Sequence, residues 1–181
     1  MGDALALQRF TTRYIPAEDR MRLAGELAAG QQVVLWLSQR LWLRLLPGLF
    51  GWLDKQVLSL PAPVAVAMTH REMQHSFALA AARQDLQAEP PVVPSVEVSE
   101  WLVDVLLLEQ TGACVRIVFQ KGGGGERCLS LAVLQLSAHQ LRQWLLIVHR
   151  LWQQAEWPAQ VWPTWWADAG AAETRSGRVV H

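Results

Sequence analysis

Five histidines, two cysteines and a run of four glycines are the residues here whose types and spacing could do chemistry. His70 and His75 lie five apart, which misses the four-residue spacing that puts two imidazoles on one helix face for a metal, and they form no HExxH arrangement. His139, His149 and His181 stand alone in the sequence. All five read as solvated or hydrogen-bonded histidines, so neither a metal site nor a cofactor is expected. The stretch FQKGGGGERC, 119 to 128, would be a phosphate loop only if a GK[ST] opened a helix. Its glycines lead instead into the strand-like RCLSLAVL, so the run reads as a hairpin turn, where glycine supplies positive φ. With those four glycines as the loop, Cys128 falls opposite Phe119 and on the other face from Cys114, and the thiols should not meet. The sequence holds no G-x-S-x-G elbow, no GxGxxG after a strand and no CxxC. No catalytic residue is expected, and the protein does not read as an enzyme.

Charged and aromatic residues offer two binding chemistries. Glu18 and Asp19 could form a carboxylate pair, but nothing near them in sequence would split their pKa values, and a solvated turn is the simpler reading. Arg13, Arg22 and Arg116 could line one polar sheet surface able to hold a single-stranded nucleic acid, with aromatic rings to stack its bases. Cross-strand pairing of these arginines with Glu26 or Asp104 is the competing reading. Tryptophan is abundant, at 10 of 181 residues. Trp101 lies on a strand with apolar groups on both faces, which needs cover on two sides. Trp157, Trp162, Trp165 and Trp166 form a proline-broken segment too apolar to stay free in water. Those five indoles are the candidate partner-binding residues. Docking of the segment on its own chain is the favoured course, and a second subunit is the simplest cover for the strand, with the Met73 helix or the Trp157 to Trp166 segment as the alternative.

The elements that must position these residues come in the same order twice. Arg9 to Ile15, Asp19 to Leu27 and Gln31 to Leu37 read as strands before a helix at Arg40 to Asp54, bent at Pro47. Val98 to Gln110, Ala113 to Gln120 and Arg127 to Leu134 read as strands before a helix at Ser137 to Gln154, which opens on the capping-box pair Ser137 and Gln140. Aligned without a gap, Met21, Arg22 and Leu23 meet Val115, Arg116 and Ile117, while Leu35 and Leu37 meet Leu129 and Leu131. Six extra residues before the second helix then bring Leu41, Leu45, Leu46 and Trp52 opposite Leu141, Leu145, Leu146 and Trp152. Internal duplication is the inference. A helix capped by Thr69 and Glu72 joins the halves, with Met73, Phe77 and Ala81 on its weakly apolar face. The expectation is an α+β fold of duplicated β-β-β-α units, antiparallel sheets with helices packed on one side. A single domain spans 1–157, its halves at about 9–55 and 97–155, and a tryptophan- and proline-rich segment with a flexible tail covers 158–181.

Sixteen basic residues balance sixteen acidic ones, which excludes an overall field for nucleic acid or anionic lipid. The apolar stretch Val33 to Leu53 approaches membrane-span length, but Arg40, Arg44 and Pro47 interrupt it, so no membrane span is expected. A start without a basic, then apolar, pattern and the cysteine usage suggest the cytoplasm. EDRMRL with LWLSQRL, Glu18 to Leu41, resembles a motif of small uncharacterised proteobacterial proteins, a resemblance that implies no activity. The order of strands ending in a helix, run twice, is similar to that of the Whirly and PUR-repeat single-strand nucleic-acid binders, without matching motif residues. The functional expectation is a homodimeric, non-catalytic interaction or assembly protein of the bacterial cytoplasm, with single-stranded nucleic-acid binding as the alternative.

Overall fold

The computed structural model describes residues 5–28, 30–57, 64–122 and 128–166. The tip of the glycine loop, 123–127, and the expected flexible tail lie outside them. The chain is α+β. Among the described residues seven strands form a four-stranded sheet, β1-β2-β3-β4, and a three-stranded sheet, β5-β6-β7. The strands are β1 (Leu7–Ile15), β2 (Arg20–Leu27), β3 (Gln32–Ser38), β4 (Glu100–Leu102), β5 (Val105–Gln110), β6 (Cys114–Lys121) and β7 (Leu129–Ser137). Helix α1 (Gln39–Val57) follows β3, α2 (Val64–Gln84) connects the halves, and α3 (Ala138–Gln154) follows β7.

Alternation explains the strands. In β2, Met21 and Leu23 are fully buried between the half-exposed Arg20 and Arg22. The inner faces of both sheets, with Leu35, Ile117, Phe119 and Leu134, and the stripes of α1 and α3 make one apolar core. The α3 cap is the expected reciprocal pair: Gln140 N donates to Ser137 Oγ (3.3 Å) and Ser137 N donates to Gln140 Oε1 (3.0 Å).

The run expected as one strand, Val98 to Gln110, is broken. Its first part joins the first sheet as β4, parallel to β3, and its second part joins the other sheet as β5. The break sits at Val103, buried with its N–H donating to Trp36 O at 3.0 Å, and at Asp104, whose N–H donates to Gln120 O at 3.3 Å. Those two bonds belong to different sheets. The start of the chain does the same on the opposite side: Val133 N donates to Leu5 O at 2.8 Å and Ala6 bridges Val133 in parallel before β1 enters the first sheet.

Strand register corrects the gap-free alignment of the halves. Leu35 lies opposite Leu23 and Leu37 opposite Met21, whereas Leu134 lies opposite Ile117 and Leu136 opposite Val115. Leu35 therefore corresponds to Leu134, not Leu129, and the extra residues fall in the glycine hairpin instead of before the helix. The helices agree with this. Trp42, Leu45, Leu46, Leu49 and Leu53 follow Ser38 at the same distances as Leu141, Trp144, Leu145, Val148 and Trp152 follow Ser137, and all ten are buried. Lys121 pairs with Leu129 across that loop, so Cys128 precedes β7 instead of facing Phe119, while Cys114 pairs with Ser137 at the far end of β6.

Helix α2 buries a different face from the one its apolar residues suggest. Met73 and Phe77 are 50% and 68% exposed, while His75, Leu79 and Ala82 are closed off against α1 and α3. Thr69 and Glu72 lie inside this helix, which begins at Val64, and α1 runs on through Pro47.

Candidate functional site

The expected tryptophan anchors are closed into their own chain. After α3, Pro158 leads a 3-10 turn (Ala159–Val161), and Pro163 leads a helical turn in which Trp166 N donates to Pro163 O at 3.0 Å. Proline here stands just before turns of helix, where its missing N–H is not needed. Trp157, Trp162, Trp165 and Trp166 are all at least nine-tenths buried. Phe50 of α1 meets Trp162, Trp165 and Trp166 at 5.5 to 6.0 Å between ring centres. Trp152 meets Trp157 edge-on at 4.9 Å. Asp19, read above as part of a solvated turn, anchors this segment: its carboxylate accepts from Trp157 Nε1 (2.8 Å) and from the Tyr14 hydroxyl (2.9 Å). Glu18 pairs separately with Arg20 at 3.8 Å. Trp101 is half-buried against the core, with Lys121 Nζ 5.0 Å above its ring.

Beneath Trp165 lies a polar cluster that sequence spacing does not reveal. His75 is fully buried, stacked on Trp165 at 4.1 Å with 8° between the planes, and its Nε2 is 3.0 Å from Asp54 Oδ1. Arg71 pairs with the other oxygen of Asp54. Burial pushes the His75 pKa below its ordinary value against the opposing pull of Asp54, and the nearby Arg142 and Arg71 push the same way as burial. Arg142, itself buried and lowered by desolvation, donates to Ala138 O at 3.2 Å. His149, ringed by Trp162 and Trp166, is also lowered, mainly by burial and then by Arg83. The Asp54–His75 pair links α1 to α2 beneath the tryptophan segment, with His75 buried and Asp54 partly exposed. Among the described residues no group of three or more His, Cys, Asp or Glu side chains could hold a metal.

The outer sheet faces carry the remaining candidates. On the first sheet, Arg13 faces Arg22, Arg22 faces Trp36 and Trp36 faces Leu102, one row across the four strands. Arg9 is paired with Glu26 at 3.3 Å, but Arg13 and Arg22 have no ion-pair partner among the described residues. Trp36 Nε1 donates to Glu100 at 2.8 Å, and Val92 from the connecting segment covers Ala24 and Val34 in the adjoining row. Arg116 is not part of this row. It lies on the second sheet, held by Glu109 directly across the strand at 2.6 Å.

The edge of the second sheet is apolar. Among the described residues no strand pairs with the free side of β5. Leu107, 47% exposed, sits beside the nearly buried Val118 and Val133 on the outer face. Leu102, 45% exposed, lies apart from it on β4 of the first sheet. Between this edge and α1 is a pocket of about 310 Å³ lined by Leu41, Arg44, Leu45, Asp104, Val105, Leu106 and Leu108. A wider groove of about 770 Å³ runs between β1, α3 and the segment after α2, with Arg83, Arg150, Asp85 and Glu89 on its rim, a mixture of signs without a focus. Among the described residues no helix is long and apolar enough to cross a membrane. Compared with family profiles, with characterised proteins and with solved structures, the chain matches none.

Proposed function

We propose that the protein is a non-catalytic interaction or assembly protein acting in the bacterial cytoplasm, and that the free edge and outer face around β5 are its docking surface. The observation that carries this reading is the exposure of Leu107 on a strand whose second side takes no partner among the described residues. Sheet edges of this kind pair with other chains unless charge, proline or a bulge prevents it. His75 is fully buried and stacked on Trp165, which favours a structural over a catalytic role. Native mass spectrometry of the protein purified at low salt tests the proposal. An assembly that Leu107→Lys dissolves is expected; a bare monomer in both forms would sink it.

The Arg13, Arg22 and Trp36 row supports a second reading, single-stranded nucleic-acid binding, since it sets beside one indole two cations that have no ion-pair partner among the described residues. Arg116 is left out of this version because Glu109 neutralises it. If that reading holds, an oligothymidine should bind at low salt, and Arg13→Glu with Arg22→Glu should flatten the log–log salt dependence by about 1.4, at about 0.7 per phosphate contact. No binding by the parent protein would remove it.

A further inference from the structure

Resting on the assembly reading, we infer that the occupant of the β5 edge is a second copy of this chain, joined by antiparallel β5-to-β5 pairing about a two-fold axis at Leu107. The edge is open where the others are guarded. β4 is three residues long, β1 carries Arg9, Arg13 and a register shift between Leu7 and Arg9, and the outer side of β7 is met by the parallel bridge from Ala6. β5, by contrast, holds an unbroken six-residue register with β6 and contains no proline, lysine or bulge. Six residues at about 3.4 Å each give a seam of roughly 20 Å.

Charge placement selects a second copy over another partner. With Leu107 on the axis, Leu106 of one chain faces Leu108 of the other, closing the mouth of the 310 Å³ pocket that both residues line. Asp104 then faces Gln110 of the other copy. Lys55 is exposed on the last turn of α1, with its Nζ 3.3 Å from Gln110 Oε1. Asp104 Oδ1 already accepts from Gly122 N of its own chain, so pairing brings the other carboxylate oxygen of each chain toward the Lys55 ammonium of its partner, twice per dimer. The remaining charge on the strand, Glu109, is already neutralised by its own Arg116 and meets only Val105. The exposed Leu107 side chains meet each other. A symmetric edge with no like charges opposed and two opposite ones brought together is complementary to itself.

Sedimentation equilibrium of the full chain reads the association directly. The parent protein should dimerise, Leu107→Lys should raise the dissociation constant at least about tenfold by opposing two ammonium groups on the axis, and Lys55→Glu, which leaves the strand intact, should also weaken it. Leu107→Cys should form a disulfide-linked dimer on mild oxidation, since directly opposed residues lie within about 4.5–5.5 Å between Cα atoms. The parent serves as its background, because Cys114 and Cys128 are free. Circular dichroism of each variant identifies any that fails to fold, and Lys55→Glu then decides the matter. A parent that stays monomeric, or a dimer untouched by Leu107→Lys and Lys55→Glu, overturns self-pairing. If the parent carries a different protein in native mass spectra and Leu107→Lys releases it, self-pairing falls while the docking-surface reading stands. If neither self nor other chain is bound, both fall.

Discussion

Trp166→Ala is the sharpest test of how the end of the chain is held. Trp166 is 2% exposed, packed on Phe50 (6.0 Å), Trp162 (5.2 Å), Trp165 (5.5 Å) and His149 (6.0 Å). Truncating a fully buried tryptophan costs about 3–5 kcal/mol, from lost transfer energy and the cavity left behind. For a chain of this size each kcal/mol lowers Tm by about 2–4 °C, so thermal unfolding followed by circular dichroism should shift down by roughly 6–20 °C. Phe77→Ala is the matched control. Its ring is 68% exposed on α2, and the change should stay within about 0.5 kcal/mol. Because the indole docks on its own chain, the difference between parent and Trp166→Ala should be the same at low and high protein concentration. A shift no larger than the Phe77 control would refute the packing argument. A shift that appears only at high concentration would show that the segment docks on a neighbouring molecule instead.

Acid should destabilise the fold through His75. In the unfolded chain its imidazole titrates near 6.5, and burial among Trp165, Arg71 and Arg142 lowers that in the folded state despite Asp54. Between the two values the unfolded chain binds more protons, so stability is full above pH 6.5, falls as pH drops toward the folded pKa and levels off below it. The slope from one group is at most about 1.4 kcal/mol per pH unit. Urea melts at pH 7.5 and 5.5 measure this, and His75→Gln, which keeps a donor toward Asp54, should lessen the loss while the lowered His149 retains part of it. Stability that rises on acidification would contradict the assignment. Gly25→Ala tests the β1–β2 contact. A Cβ there would fall 2.3 Å from Leu7 Cδ2, so either the Leu7 side chain or the start of β1 must shift, at about 1–3 kcal/mol in a urea titration. A stabilised variant would mean that β1 yields freely at that point.

The residues of β2, β6, α1 and α3 state their own structure. Alternation of Met21 and Leu23 with arginines, the Ser137 to Gln140 cap, and stripes such as Leu141, Trp144, Leu145 and Val148 are local patterns, and local patterns suffice to define which face is buried and where a helix starts. The α+β class follows from them. Three things did not. Sequence alone places Val98 to Gln110 in one strand because every residue type suits a strand; only competition between Trp36 O and Gln120 O for the backbone at Val103 and Asp104 divides it between sheets. The buried face of α2 is the one that meets partners distant in sequence, with His75 against Asp54, 21 residues away on α1, and against Trp165, which leaves Met73 and Phe77 in water. And the arginines read as one surface are separated, because the gap-free alignment makes Arg22 and Arg116 equivalent in their halves without saying that those halves contribute to different sheets. Period and propensity belong to a segment of chain, whereas strand partners, helix faces and shared surfaces depend on what arrives from elsewhere, and only the assembled tertiary structure decides that.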